Sequence, residues 1–282
     1  MPEQDSIPPA LEPVEAHSEA PHEDTPMLDV HPAQHAASTW RDFFIHIATI
    51  VIGLFIAVSL EQTVELLHHR HQRNQLEEEL RRDGEANEKY IQDDIAVTQS
   101  TMDWASGQAA AIGHAGPVSP LILRRMPVGA LYSPDAGVWL AAKTNGQASL
   151  LPTGEQNWFE DLARLEEQTF GSNTSAKAQL YAAYSALDQD IVGHVTETPS
   201  GELDLSTLDA AQRQAVIEHL RSIAEQTRNV MHSLVSYSSD NEYILNTPGD
   251  QLDDQQAMNK YLSIVRKNVE AHPDLRYTFS AK

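Results

Sequence analysis

Residues Phe43 to Leu60 read FFIHIATIVIGLFIAVSL, eighteen residues of which twelve are Phe, Ile, Val or Leu and none carries a full charge. Wound as a helix at 1.5 Å per residue, this stretch is about 27 Å long, close to the roughly 30 Å hydrocarbon thickness of a bilayer. Each strongly apolar side chain favours insertion by about 0.3 to 0.6 kcal/mol, so the run sums to several kcal/mol, more than a neutral His46 opposes. A buried core helix normally keeps a polar stripe, whereas here apolar character runs right round the axis. The run also starts too far into the chain, and ends too abruptly at Glu61 and Gln62, to be a cleaved signal peptide. The reading is a single transmembrane helix, with its flanks covering residues 40–66.

The flanks fit an interface at both ends. Trp40 stands at the entry, and His68, His69, Arg70, His71 and Arg73 stand beyond the exit, where amphipathic and basic side chains suit lipid headgroups. Thr49, Gly53, Ala57 and Glu61 follow at intervals of four, and small residues so spaced let a second helix approach closely. The expected partners are therefore the lipid bilayer and a second copy of the chain or another membrane helix. Arg41 precedes the span and Arg70 and Arg73 follow it, with no Lys or Arg in residues 1–40, so the positive-inside rule leans towards a cytoplasmic C-terminal domain. The histidines add charge on that side only when protonated.

On the N-terminal side, residues 1–39 hold eight acidic residues, repeated prolines and almost no large apolar cluster, the composition of a disordered acidic tail. Past the anchor nothing from Leu60 to Arg82 breaks a helix. Leu76, Leu80, Ile91, Ile95 and Met102 then recur at threes and fours, predicting a membrane-proximal helix over 67–105 with weak positions at Gly84 and Asn87. Residues 106–152 are rich in Gly, Ala and Pro, and read as an irregular connector of short helices and loops rather than strands.

From residue 153 to 282 the pattern is that of a helical bundle. Thr153 with Gln156, and Ser206 with Asp209, resemble capping boxes. Trp158, Phe159, Leu162, Leu165 and Phe170 line one short helix, and Leu180, Tyr184, Leu187 and Ile191 another. Val216, Leu220, Ile223, Thr227, Val230, Leu234, Tyr237, Asn241 and Ile244 alternate spacings of four and three over a helix of about forty residues. Ile217, Ala224, Met231 and Leu245 widen that stripe, which suits burial against several helices better than a two-stranded coiled coil. The polar seam residues Thr227 and Asn241 read as register or satisfied contacts. A last helix carries Met258, Tyr261, Leu262, Val265 and Val269. The fold expected is mostly α: a transmembrane helix continuing into a long helix, then a bundle of four or five helices.

Composition excludes several chemistries. The formal charge of −22 repels phosphate backbones, so nucleic acid is not an expected partner. With no cysteine there is no disulfide, thiolate nucleophile or Cys-type zinc site. No phosphate loop, dinucleotide fingerprint, HExxH, GxSxG, SxxK or calcium loop is present. His219 and His232 lie too far apart to share a metal, and the tail histidines have no fixed register. Asp93 beside Asp94, and Asp253 beside Asp254, point about 100° apart on a helix and read as solvated surface. No catalytic residue, metal or cofactor is assigned.

The run FFIHIATIVIGLFIAVSLEQTVELLHHRHQRNQLEEELRRDGEAN, with GVWLAAKTNGQASLLP and its Trp139 and Gly146, resembles uncharacterised bacterial single-pass membrane proteins in which an anchor passes into an Arg- and Glu-rich helix. The resemblance spans about residues 40 to 150 and implies no activity. The function expected is a membrane-anchored, non-enzymatic scaffold or protein-interaction module of a bacterial inner membrane. The alternative is a membrane-tethered ligand-sensing domain.

Overall fold

The computed structural model describes residues 39–116, 118–126, 130–171, 175–252 and 254–275. The acidic tail and Asp253 lie outside these residues. The chain is mostly α and divides into two units, residues 1–60 and 61–282. In the first, every residue from Phe43 to Leu60 is helical and exposed. An eighteen-residue window of this helix has a mean hydropathy of 2.5 with none of it buried, so it is apolar and long enough to cross a membrane.

That stretch opens helix α1, Trp40–Gly113, which extends eight residues past the expected end at Ala105. Within the second unit its burial begins at Leu76 and recurs at Leu80, Asn87, Ile91, Ile95, Met102, Ala105, Ala109 and Ile112, the threes and fours of one helical face. Strand β1, Ile122–Leu123, follows, then α2, Gly137–Thr144. Gly146, at φ 82°, lets the chain leave α2 in a left-handed turn that a side chain would resist. Helix α3, Thr153–Glu166, ends in a wider π-type turn at Glu167–Gly171. Helix α4 is Ala176–Ile191, strands β2 and β3 are Thr196–Glu197 and Leu203–Asp204, α5 is Ala210–Leu245 and α6 is Gln255–Ala271.

Helix α5 is the centre of the bundle, with α3, α4 and α6 packed on it. Its seam is buried from Val216 to Ile244, as the heptad spacing requires. Leu220, Ile223 and Val230 are fully enclosed, and Ile91, Met102 and Ile112 of α1 belong to the same core. Ile91, for example, gains the roughly 2 kcal/mol that full burial of an aliphatic side chain supplies. A second cluster joins Leu76 and Leu80 to Trp139, Ala142, Ala148 and Leu151, so part of the connector is core rather than linker.

The weak positions of α1 are docking points. Asn241 of α5 donates from Nδ2 to the Gly84 carbonyl at 2.9 Å and to Glu88 Oε2 at 2.9 Å. Ser238 donates to Glu88 Oε1 at 2.6 Å, and Asn87 exchanges two bonds with the Asp135 backbone, each 3.0 Å. Glycine at 84 is what lets the seam close, since a Cβ there meets Asn241 Oδ1 at 2.8 Å and Leu245 Cδ2 at 3.2 Å. Ala is the better helix former by about 1 kcal/mol, but overpacking opposes it with about 1 to 3 kcal/mol. Gly84→Ala is expected to lower the denaturant midpoint; an unchanged or higher midpoint contradicts this contact.

Four local expectations are corrected. The connector contributes a strand: β1 and β2 both pair antiparallel with β3, in the order β1-β3-β2. The bond from Leu205 N–H to the Leu121 carbonyl, 2.7 Å, continues this pairing and brings two buried leucines together. Helix α3 has Pro152 at its N-cap with no side-chain cap, and Gln156 instead donates to the Leu151 carbonyl at 2.8 Å. The capping box of α5 is Asp209 with Gln212, three residues later than Ser206 with Asp209, because the bend after β3 consumes Ser206 and Thr207. On α6 the buried residues are Ala257 and Ile264, while Leu262 is 54% exposed.

Candidate functional site

In the membrane-length segment Trp40 is exposed, and its ring lies 5.9 Å from Phe43 and 5.8 Å from Phe44, centroid to centroid. Thr49 turns its hydroxyl onto its own helix, donating to the Ile45 carbonyl at 2.8 Å, so it spends no polar group on a neighbour. A Cβ on Gly53 meets nothing within 4 Å, leaving that face open to a close approach. Ala57 is exposed. In the second unit Glu61, His68, His69, Arg70 and His71 are exposed, whereas Arg73 is half-buried and pairs with Glu77 at 2.6 Å. Arg73 thus joins a charge cluster of the helical domain.

That cluster opens onto a cleft of about 580 Å³ between α1, α3 and the turn after α5. Its floor is Leu80, Phe159, Ile244 and Leu245, and its charged rim is Glu77, Glu78 and Arg81. Arg81 is held by a bond from Nη2 to the Leu245 carbonyl, 2.7 Å. Glu155, in the first turn of α3, forms one wall and is only 6% exposed. Its Oε2 and the Thr247 Oγ1 are buried without a hydrogen-bond partner among the described residues. Gly249 backs onto that carboxylate, where a side chain would collide with it. Burial pushes the Glu155 carboxyl up to about 7; Glu77 and Asp250 add repulsion, and Arg73 partly offsets it.

Burial also raises the carboxyls of Asp83, Glu166, Asp94 and Asp240 in the same domain. Burial, reinforced by Asp135, raises Asp83 to about 6, and burial with Asp135, Asp83 and Glu167 raises Glu166 to about 7 against an opposing Ala136 backbone bond. Asp94 is 1% exposed, which corrects its reading as surface. Both of its oxygens accept the Tyr132 N–H, at 3.2 and 3.0 Å. Burial still raises it to about 6, with the Tyr132 bond and Lys177 opposing and Asp93 adding to the rise. Asp254 is the N-cap of α6 and makes no side-chain cap bond.

A second groove, about 600 Å³, runs between α4, β1 and the end of α1, and is lined by Trp104, Leu123, Tyr181, Tyr184 and Leu203. Its two arginines are engaged, Arg125 with Glu197 at 2.6 Å and Arg124 with Glu202 at 3.4 Å. His219 Nε2 meets Asp190 Oδ2 at 2.7 Å and ties α5 to α4. Among the described residues no three His, Cys, Asp or Glu side chains are grouped to hold a metal ion.

Sequence reasoning missed both clefts and the buried Glu155. The partial signals were the acidic residue in the first turn of α3 and the Pro248-Gly249 turn, but neither says which side chains meet across 94 residues of chain. Compared with family models, with curated proteins and with solved structures, the chain matches none.

Proposed function

We propose that this chain is a non-enzymatic, single-pass membrane-anchored interaction module of a bacterial inner membrane. The observation that carries the reading is the wholly exposed apolar helix over Phe43 to Leu60, in a chain whose other unit has a closed core of its own. Burying twelve bare Phe, Ile, Val and Leu side chains in lipid outweighs leaving them in water by several kcal/mol. Trp40 and the His68–His71 cluster serve as headgroup contacts. Thr49, Gly53, Ala57 and Glu61 form the face for a second copy or another membrane helix. The basic residues after the span favour a cytoplasmic helical domain.

Alkaline extraction of membranes tests this anchoring. The full chain is expected to stay in the pellet, and a chain lacking residues 43–60 to leave it; release of the full chain by carbonate overturns the reading.

The two clefts favour a second reading, a ligand-sensing domain, because 580 and 600 Å³ lie in the range of small-molecule sites. A metabolite panel read by thermal shift on the detergent-solubilised chain tests it. A compound that raises the melting temperature supports sensing, and a panel without one removes it.

A further inference from the structure

We propose that the cleft walled by Glu155 binds a linear polyamine, with its ammonium groups on the carboxylates and its methylenes on the apolar floor. This rests on the ligand-sensing reading and names the class of ligand for one of its two clefts.

Three observations meet there. The first is charge: of the carboxylates lining the cleft, Glu77 pairs with Arg73 at 2.6 Å and Glu78 with Arg82 at 3.2 Å, and Arg81 is taken up by the Leu245 carbonyl, which leaves Glu155 as the carboxylate without an ion pair among the described residues. The second is an orphaned acceptor. Glu155 is 94% buried and its Oε2 has no hydrogen-bond partner among the described residues, which costs free energy that a donor in the cleft would recover. Thr247 Oγ1, in the turn after α5 that lines the same cleft, is orphaned too. The third is the floor: Leu80, Ile244 and Leu245 give an aliphatic surface beside the Phe159 ring, which stacks on Trp139. A chain that alternates ammonium and methylene satisfies all three, whereas a bare divalent ion uses only the charge. The residues are also not grouped to ligate a metal.

Proton linkage supplies a signature. An ammonium needs Glu155 ionised, and the groups facing Glu155 are Glu77 and Arg73 from α1 and Asp250 from the turn after α5. With a carboxyl near 7, about nine molecules in ten are ionised at pH 8 and about one in ten at pH 6, so affinity should fall about tenfold between them.

The test is calorimetric titration of the full chain in detergent with spermidine, and with magnesium chloride at matched ionic strength. The expected result is saturable spermidine binding not shared by magnesium, weakened at least tenfold by Glu155→Gln and about tenfold on going from pH 8 to pH 6. Glu155→Gln removes a buried charge and is expected to fold; if it does not, the pH dependence of the wild-type chain decides. Equal binding of magnesium, no binding, full affinity in a folded Glu155→Gln chain, or a flat pH profile each overturn the proposal. The panel distinguishes the two levels: stabilisation by some other compound leaves ligand sensing standing without the polyamine.

Discussion

The helical domain is expected to melt at a higher temperature at pH 5.5 than at pH 8, the reverse of ordinary acid denaturation. Asp83, Asp94 and Asp240 have carboxyls raised from 3.8 to about 6, and Glu155 and Glu166 from 4.5 to about 7, in each case chiefly by burial. A raised acid binds its proton more tightly folded than unfolded. Between roughly pH 4 and 8 the folded domain therefore holds protons that the unfolded chain has released, and stability falls as pH rises through that window. Above about pH 8 these groups are ionised in both states and the slope vanishes. The buried Glu155 alone is worth about 2 to 3 kcal/mol across the window. Repulsion within a chain of net charge −22 has the same sign. A rise on the order of 5 to 10 °C is expected in a scan of the solubilised chain. Glu155→Gln should be the more stable chain at pH 8 and lose its advantage at pH 5.5. A domain that melts lower at pH 5.5 than at pH 8 contradicts the burial of these acids.

The second large effect is expected at Leu220. Its side chain is fully enclosed in the N-terminal third of α5, where the helix meets the core shared by α1 and α4. Truncation to alanine removes three carbons from a site with no route to solvent, and costs about 2 to 5 kcal/mol because the surroundings collapse only partly. That is a large share of the stability of an ordinary domain. Leu220→Ala should shift the urea midpoint strongly while the protein still fractionates with membranes. Leu262→Ala, on an exposed face of α6, should change the unfolding free energy by less than about 0.5 kcal/mol. Equal effects at the two positions would contradict the packing of α5 and α6.

The sequence declared what periodicity can declare. The α5 seam, the buried stripe of α1 from Leu76 and the apolar run before it are each set by side chains that repeat on one face. What it withheld depends on distant partners. Asp94 looks like surface beside Asp93, yet Tyr132, 38 residues away, supplies the N–H that makes burial tolerable. Glu155 is hidden by Gly249, whose missing side chain leaves it room. Gly84 and Asn87 weaken a helix locally, but Asn241 and Asp135 convert that weakness into fit. The small sheet escaped notice because two-residue strands carry no period, although Pro199-Ser200-Gly201 between β2 and β3 has the composition of a hairpin turn. The misplaced capping boxes differ again. Ser, Thr and Gln recur around both helix starts, and only the path of the preceding chain selects the cap.

Anchoring by residues 43–60 is the claim on which the interaction-module reading depends, and membrane topology tests it most directly. Reporter fusions placed before Phe43 and after Lys282 should report opposite sides of the membrane, with the one after Lys282 cytoplasmic. Two reporters on the same side would show that the apolar helix does not cross, and would contradict the account.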